Sequence, residues 1–140
     1  GNLGAILRTA DGMGVSAILL CDSPIDHYHP NVLRNSLGGA FSLPIARATS
    51  AEAIDWLQER HIQLATTSLE GASPPYLVDL RPPIAIVMGA EDRGVTQEWI
   101  DASDHTLLIP MNGAVDSLNV SAATAMMLYE ATRQRRVLQM

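Results

Sequence analysis

Short apolar runs alternate with segments of helical periodicity along the whole chain. Five of these runs have the length and composition of β-strands, at residues 17–21, 43–47, 62–67, 84–88 and 106–109. The runs at 17–21 and 84–88 are almost entirely apolar, which is typical of strands that are covered on both faces. This alternation predicts an α/β fold with a mostly parallel sheet flanked by helices.

The segments between the strands carry helix start signals. Asn2 is a good N-cap residue and precedes apolar residues at helical spacing. Thr49 and Glu52 have the spacing of a capping box, and Thr96 is placed to cap a short helix that continues to residue 102. The last helix is expected to run from near Asn119 to residue 136. Its inward face is expected to carry Val120, Ala123, Met127 and Ala131.

Length and composition limit the class of protein. A chain of 140 residues with 47% hydrophobic content can bury one core and is too short for two ordinary domains, so one domain over residues 1–140 is expected. It has neither an apolar stretch of roughly 20 residues that could span a bilayer nor a signal-peptide pattern, which predicts a cytoplasmic protein with no membrane partner. The lone Cys21 excludes an internal disulfide and the cysteine clusters of structural zinc sites.

The charge of the chain leaves its partner open. The net charge of −6 argues against a nucleic-acid partner, because phosphate binding normally requires a basic face. All nine cations are arginine, however, and arginine is the better bidentate phosphate ligand. Three of them, Arg133, Arg135 and Arg136, lie together near the C-terminus. The chain begins without Met and directly on a polar motif, so we expect that an N-terminal strand or extension is missing.

Three polar strings could carry chemistry. The first is N-x-G-x-x-x-R-T-A at residues 2–10, where Gly4 permits close approach of a backbone or a ligand and Arg8 projects about a turn further on. The second, residues 89–94, follows a predicted strand and has free amides that could hold a ligand. Taken singly, the first string is more typical of an ordinary amphipathic helix with a solvated arginine. The second is as typical of a polar turn into the next helix as of a ligand site.

The third string, residues 109–121, is longer and more specific. It joins an apolar strand end, fixed by Pro110, to a loop and a helix start. Ser117, Asn119 and Ser121 can each hydrogen-bond a ligand or cap the helix.

Other candidate residues are weaker. Cys21 could act as a covalent nucleophile, but it ends an apolar strand without a basic neighbour, which favours a buried structural thiol. His27 and His29 have a metal-like spacing, but no Cys or further His joins them, which favours loop histidines.

Together the strings resemble the signature of the SpoU (TrmH-like) branch of the SPOUT RNA methyltransferases. That signature reads N-x-G-x-x-x-R-T-A, G-x-E-x-x-G and I-P-M-x-G-x-x-x-S-L-N-V-S, and it appears here in the same order at residues 2–10, 89–94 and 109–121. The segment R-N-S-L-G-G-A at residues 34–40 is similar to the R-x-S-x-G-A segment of the family.

The resemblance implies a fold, a cofactor and partners. The fold is the SPOUT α/β knot, in which the C-terminal part of the sheet forms a deep trefoil knot. The implied enzyme is a homodimer that uses S-adenosyl-L-methionine and no metal, and it methylates RNA, either tRNA or rRNA, most often at a ribose 2'-hydroxyl. The cofactor contacts of the family carry over to Thr67, Ser68, Gly89, Glu91, Ile109, Met111, Leu118 and Asn119.

The resemblance also implies catalytic roles. Arg8 corresponds to the catalytic arginine, which acts either as a general base or as a fixed cation, and guanidinium groups have a pKa above about 12. Asn2 is expected to orient Arg8 or the substrate, Glu91 to brace the second motif, and Ser117 and Asn119 to shape the catalytic loop. The RNA contacts are expected from Arg8, Arg34 and Ser36.

Two other functions remain as alternatives. A catalytically silent RNA-binding or dimerisation module could keep the fold, although the presence of Arg8, Glu91 and Asn119 argues against it. A Rossmann-type methyltransferase or nucleotide binder would carry a Gly-x-Gly motif after an early strand, which this sequence lacks.

Overall fold

The computed structural model describes residues 2–24, 26–70, 72–90, 94–114 and 118–137. The chain forms two compact units, the N-terminal unit (residues 1–53) and the C-terminal unit (residues 54–140). The strands of every sheet in the described residues pair in parallel, and helices alternate with them, so the predicted α/β class is confirmed. Within the described ranges, no helix combines the length and the apolar character that a membrane crossing requires.

The N-terminal unit alternates helices and strands. Its elements are α1 (Asn2–Gly12), β1 (Ile18–Cys21), α2 (Pro30–Ser36), α3 (Gly39–Ser42) and β2 (Ile45–Ala48). Strands β1 and β2 form a two-stranded sheet, and α1 packs against both α2 and α3. The buried apolar residues of this unit include Leu7, Ala10, Val32, Ala40 and Leu43.

Two glycines allow these helices to approach closely. A β-carbon on Gly4 would lie 2.5 Å from the β-carbon of Asn35 and 2.9 Å from the carbonyl oxygen of Val32, both in α2. A β-carbon on Gly39 would lie 2.7 Å from the carbonyl oxygen of Leu7 in α1. Both positions therefore require glycine for helix packing, and the close approach at Gly4 is to the backbone of a neighbouring helix.

Helix α4 (Ser50–Glu59) begins with the predicted capping box. The amide of Glu52 donates to Oγ1 of Thr49 at 3.1 Å, and the amide of Thr49 donates to Oε1 of Glu52 at 3.0 Å. Asp22, which follows β1, supplies a further acceptor, since the amide of Ser50 donates to its Oδ2 at 2.9 Å. This backbone hydrogen bond from Ser50 holds the pKa of Asp22 below its ordinary value of 3.8.

The C-terminal unit is built on a three-stranded parallel sheet. Its elements are β3 (Gln63–Thr67), a 3-10 turn (Pro75–Leu77), β4 (Ile84–Val87), α5 (Gln97–Ala102), β5 (His105–Leu107) and α6 (Val120–Val137). Strand β3 is central, with β4 on one side and β5 on the other. A buried cluster forms the core of the unit and consists of Ala65, Leu80, Leu107, Met127 and Ala131.

Helix α6 is anchored to the rest of its unit by Gln134. The side-chain amide donates from Nε2 to the carbonyl oxygens of Val78 at 3.0 Å and Pro75 at 3.3 Å. Oε1 accepts from the amide of Leu80 at 2.8 Å. The helix is thereby tied to the segment that joins the 3-10 turn to β4.

Most of the predicted elements are confirmed. Each of the five predicted strands overlaps an observed strand and differs from it by at most two residues at either end. The last helix also lies where it was predicted, with Met127 and Ala131 buried and Val120 and Ala123 half-buried.

Other expectations differ from the structure. The strands are divided between a two-stranded and a three-stranded sheet rather than forming a single sheet. All side chains of β1 and β4 are half-buried, so neither strand is fully covered on both faces in the single chain. Thr96 is the N-cap residue of α5, but its side chain makes no capping hydrogen bond. Helices α2 and α3 were not predicted; α2 begins at Pro30, where the ring of His29 accepts a hydrogen bond from the amide of Asn31 at 3.1 Å.

Candidate active site

Arg8 projects into solvent from α1, whereas other residues close to it in the same helix are buried. Leu7 and Ala10 are 0% and 1% exposed, whereas Arg8 is exposed. Among the residues that the structure describes, none forms a hydrogen bond or ion pair with its guanidinium group. The backbone nitrogen of Arg8 lies 3.3 Å from the position of a β-carbon on Gly39, so the contact of α1 with α3 fixes where this side chain leaves the helix. The backbone position of Arg8 is thus fixed, and its guanidinium group has no partner among the described residues. Such a side chain is suited to contact an anionic substrate.

Asn2 lies on the same helix as Arg8 but not on the same face. Side chains on an α-helix meet at spacings of three and four residues, and these two are six apart. A direct contact in which Asn2 orients Arg8 is therefore not expected, which leaves the substrate as the predicted partner of Asn2.

Arg34 and Ser36 occupy the last turn of α2 in different environments. Arg34 is exposed, whereas Ser36 is 1% exposed. Oγ of Ser36 donates to the carbonyl oxygen of Leu33 at 2.9 Å and accepts from the amide of Ala40 at 3.3 Å. The hydroxyl thus joins α2 to α3, and the RNA contact of Ser36 stays a prediction.

In the C-terminal unit, predicted cofactor residues follow the carboxyl ends of three neighbouring parallel strands. Oγ1 of Thr67 donates to the carbonyl oxygen of Val87 at 3.1 Å, which joins the ends of β3 and β4. The amide of Ser68 donates to the carbonyl oxygen of Leu107 at 3.0 Å, which joins the ends of β3 and β5. The chain runs from β3 to β4 and then crosses to the other side of β3, and ligands of parallel sheets bind where the connection reverses in this way.

The loop after β4 folds back on itself at Gly89. The amide of Gly94 donates to the carbonyl oxygen of Ala90 at 2.7 Å, and Gly94 has a φ of 66°. A β-carbon on Gly89 would lie 2.5 Å from the nitrogen of Val95, so this turn requires glycine. Glu91 lies outside the described residues.

The segment after β5 offers both apolar surface and backbone donors. Ile109 and Met111 are half-buried, and Ile109 packs against the core cluster of the unit. No other described residue accepts a hydrogen bond from the amide of either one. Such a segment can line one side of a ligand and donate to it.

Asn119 is the N-cap of α6. Its Oδ1 accepts from the amide of Ala122 at 2.8 Å and from Oγ of Ser121 at 2.8 Å. Because the oxygen is used in capping, Nδ2 is the atom that this side chain can offer to a ligand. Leu118 beside it is half-buried, and Ser117 lies outside the described residues.

These groups fit the chemistry of S-adenosyl-L-methionine. A nucleoside ligand needs an apolar wall and a few placed polar groups. Ile109 and Met111 supply half-buried apolar surface, and their amides together with Nδ2 of Asn119 supply donors. The donor set therefore suits this cofactor.

A comparison with protein families decides the relationship of this chain. Residues 1–129 match the model of the SpoU rRNA Methylase family. The chain belongs to the SpoU rRNA Methylase family. The resemblance that the three motifs predicted is thus confirmed.

Characterised SpoU relatives are similar over nearly the whole chain. The 23S rRNA (guanosine-2'-O-)-methyltransferase RlmB of Pectobacterium atrosepticum is 40% identical over 135 residues, which cover 96% of this chain and 55% of the relative. The 23S rRNA (uridine(2479)-2'-O)-methyltransferase of Streptomyces viridochromogenes is 36% identical over 141 residues, which cover 96% of this chain and 49% of the relative. The SpoU chain thus spans about half the length of the curated relatives it matches.

A solved SpoU structure has the same fold. The SpoU methyltransferase AviRb from Streptomyces viridochromogenes, in complex with the cofactor AdoMet, matches with a TM-score of 0.91 at 34% identity. The match covers 97% of this chain and 56% of AviRb. The parallel α/β architecture is therefore that of the SpoU structures.

The alternative candidates from the sequence have internal roles in this SpoU chain. Burial, and next the charge of Asp22, raises the pKa of the Cys21 thiol, which disfavours the thiolate that a nucleophile needs. His29 caps α2, and Nδ1 of the buried His27 lies 3.3 Å from Nη2 of Arg47. The two histidines therefore contact different partners.

Three residues with structural roles in their own units were missed by sequence reasoning. Gly39 sets the position of α1, Asp22 supports the start of α4, and Gln134 anchors α6. The Gly38-Gly39 pair is a visible signal of close packing. Asp22 and Gln134 carry no comparable signal, because their partners lie 28 and 54 residues away in the chain.

Proposed function

We propose that residues 1–140 are a catalytic domain that transfers a methyl group from S-adenosyl-L-methionine to a ribose 2'-hydroxyl of RNA. One observation carries this proposal. In a chain of the SpoU family, five predicted cofactor residues lie at or just after the carboxyl ends of the strands of the β4-β3-β5 sheet, namely Thr67, Ser68, Gly89, Ile109 and Met111. The relatives are named as 23S rRNA 2'-O-methyltransferases, which favours rRNA over tRNA as the substrate. An RNA substrate and a lone cysteine, which cannot form an internal disulfide, favour a cytoplasmic location.

The residues proposed to hold the cofactor are Thr67, Ser68, Gly89, Glu91, Ile109, Met111, Leu118 and Asn119. When bound, S-adenosyl-L-methionine supplies an electrophilic sulfonium methyl group. The protein then has to orient the ribose hydroxyl in line with that group and stabilise the charge that develops on its oxygen.

Arg8 is proposed to act as a fixed cation. A ribose hydroxyl becomes a nucleophile as it loses its proton, which passes to solvent water at the exposed Arg8, and the nearby guanidinium group stabilises the resulting negative oxygen. Guanidinium groups stay protonated in proteins, so a positioned positive charge explains the need for arginine better than proton acceptance does. Asn2 is proposed to contact the substrate, Arg34 to contact RNA phosphate, and Glu91 and Ser117 to shape the two motif loops.

A trefoil knot in the C-terminal unit is part of the proposal, and two contacts of β5 support it. Ser68 bonds to one side of this strand through the carbonyl oxygen of Leu107. Ser73 bonds to the other side, because its amide donates to the carbonyl oxygen of Thr106 at 3.0 Å and its own carbonyl accepts from the amide of Leu108 at 3.0 Å. Ser68 and Ser73 therefore bond to opposite sides of β5, which is the arrangement expected if the connection between them is part of a knot.

A homodimer is also part of the proposal. Met126 and Tyr129 are exposed on α6, and Tyr76 and Leu77 are exposed on the 3-10 turn that Gln134 ties to this helix. Large exposed apolar side chains on connected elements are typical of a protein interface. A second copy of the chain is the partner that the family resemblance implies.

The test combines cofactor binding with methyl transfer. Isothermal titration of the protein with S-adenosyl-L-methionine is expected to show binding. Ribosomal RNA from a strain that lacks the gene is expected to gain a 2'-O-methyl group when it is incubated with the protein and this cofactor. Binding without transfer to any RNA would support the catalytically silent module instead. Transfer to a base would contradict the ribose assignment, and absence of binding would contradict the proposal as a whole. Sedimentation of the same sample measures the oligomeric state.

A further inference from the structure

Three aromatic side chains form a row from the interior to the surface of the N-terminal unit. His27 is 9% exposed, Tyr28 is 56% exposed and Phe41 is 73% exposed. The ring centroids of His27 and Tyr28 are 4.1 Å apart, and those of Tyr28 and Phe41 are 6.4 Å apart at an interplanar angle of 29°. Two large rings in contact with each other thus remain mostly open to solvent, and the roles assigned above use neither.

The inner end of this row is held in place by hydrogen bonds. The amide of Tyr28 donates to Oδ1 of Asp26 at 2.9 Å, and the amide of His29 donates to the carbonyl oxygen of the same residue at 3.1 Å. Arg47 lies against Nδ1 of His27 and donates from Nη1 to the carbonyl oxygen of Ser23 at 3.0 Å. The backbone that carries Tyr28 is therefore fixed before a ligand binds, which lowers the conformational entropy lost on binding.

The rings lie in a stretch of chain that also carries two arginines. Residues 27–51 contain no Asp or Glu, but the exposed Asp26 directly precedes them, and its Oδ1 accepts from the amide of Tyr28. The same stretch contains Arg34 and Arg47. Arg34 is exposed on α2, which packs against α3, the helix that carries Phe41. Exposed rings in the same unit as an exposed arginine suit a ligand that has both flat bases and phosphates.

We propose that Tyr28 and Phe41 form a stacking platform for an unpaired nucleobase of the RNA substrate. The bases of single-stranded nucleic acids stack on exposed aromatic side chains, and arginine binds the adjoining phosphates. The identity of the ligand as RNA rests on the proposed function. A second copy of this chain is the other candidate occupant, and the rRNA substrates named for the SpoU relatives, together with the exposed Arg34, favour RNA over that copy.

The experiment measures the affinity of the full chain for a short single-stranded RNA that contains 2-aminopurine. Tyr28→Leu and Phe41→Leu keep an apolar side chain and remove the ring. Each is expected to weaken binding by about 5- to 100-fold, which corresponds to the loss of one base–aromatic stack, and to reduce the quenching of 2-aminopurine fluorescence. Phe41→Trp is expected to retain both. Trp56→Leu removes another exposed ring, 45% exposed on α4, and is expected to bind like the wild type.

Several outcomes would overturn the platform. They are unchanged RNA affinity in both Tyr28→Leu and Phe41→Leu, an equal loss in Trp56→Leu, and no binding of the probe by the wild type. A loss in the leucine variants that coincides with a change of oligomeric state in sedimentation would assign the rings to a protein interface and also overturn it. Thermal unfolding of each variant, together with the behaviour of Phe41→Trp, separates loss of the ring from loss of the fold. Because these measurements need neither cofactor nor turnover, a chain that binds RNA through the rings without transferring methyl would keep the platform and contradict only the proposed function.

Discussion

The carbonyl oxygen of Leu7 lies 2.7 Å from the place that a β-carbon on Gly39 would occupy. Helix α3 therefore rests directly on the backbone of α1, one residue before Arg8. The proposed catalytic cation is thus positioned by a backbone contact between two helices. Disturbing that contact is expected to act on stability and catalysis together.

Gly39→Ala is expected to lower the free energy of unfolding by about 1–3 kcal/mol, because the added methyl group has no room against the backbone of α1. Urea unfolding followed by circular dichroism measures the change. Gly12→Ala is the matched control, since no atom lies within 4 Å of a β-carbon at that position. It is expected to be neutral or stabilising by up to about 1 kcal/mol. Equal stability of Gly39→Ala and the wild type would show that α3 can move away from α1 at little cost.

Arg8→Lys is expected to reduce turnover by at least about 100-fold, because a single ammonium group cannot reproduce the fork of donors that stabilises a developing oxyanion. The affinity for S-adenosyl-L-methionine, measured by titration calorimetry, is expected to stay within about twofold of the wild type. Arg81→Lys changes another exposed arginine, which pairs with Asp79, and is expected to leave turnover unchanged. A lysine variant at position 8 with near-normal turnover would rule out the geometric argument for arginine.

Substitutions at Asn119 separate helix capping from cofactor binding. Asn119→Ala removes the acceptor that caps α6 and is expected to cost about 0.5–2 kcal/mol of unfolding free energy. Asn119→Asp keeps an oxygen for the cap and removes the Nδ2 donor, so it is expected to retain stability and to lose affinity for S-adenosyl-L-methionine. Calorimetry and thermal unfolding of both variants provide the comparison. Normal cofactor affinity in the aspartate variant would leave Asn119 with the capping role alone.

The hydrogen bond from Ser50 predicts an acid-dependent contribution of Asp22 to stability. It lowers the pKa of Asp22 in the folded protein below the ordinary value of 3.8. The contribution is therefore fully present above pH 3.8 and is lost as the pH falls through the lower folded value. Asp22→Asn keeps an oxygen acceptor and a residue type that tolerates the φ of 52°, but removes the titration. The fall of the unfolding free energy below pH 3.8 is expected to be shallower in this variant.

The control for the acid titration is Asp55→Asn on α4, which removes the same charge without touching the contact between Asp22 and Ser50. Its stability profile against pH is expected to run parallel to that of the wild type. If Asp22→Asn also ran parallel, the contact with Ser50 would contribute nothing to the acid sensitivity.

The sequence by itself determined the elements whose signals are local. The capping box of Thr49 and Glu52 and the start of α6 at Asn119 depend on residues within one helical turn, and both were predicted correctly. The five strands were found for a similar reason, since each is a short apolar run. Candidate cofactor positions could be predicted too, because the family motifs follow these strands and the ends of parallel strands share one edge.

Only the tertiary structure decided the contacts between residues that are distant in the chain. The requirement for glycine at position 39 comes from Leu7, and the burial of Ser36 comes from packing of α2 and α3, two short helices with weak signals of their own. The ring pair of Tyr28 and Phe41 likewise depends on the path of the chain between them. Periodicity and capping describe the free energy of a segment with its neighbours, whereas these contacts arise from the packing of separate segments. The sequence therefore identified Arg8 as a candidate, and the packing of α3 on α1 decided where its side chain leaves the helix.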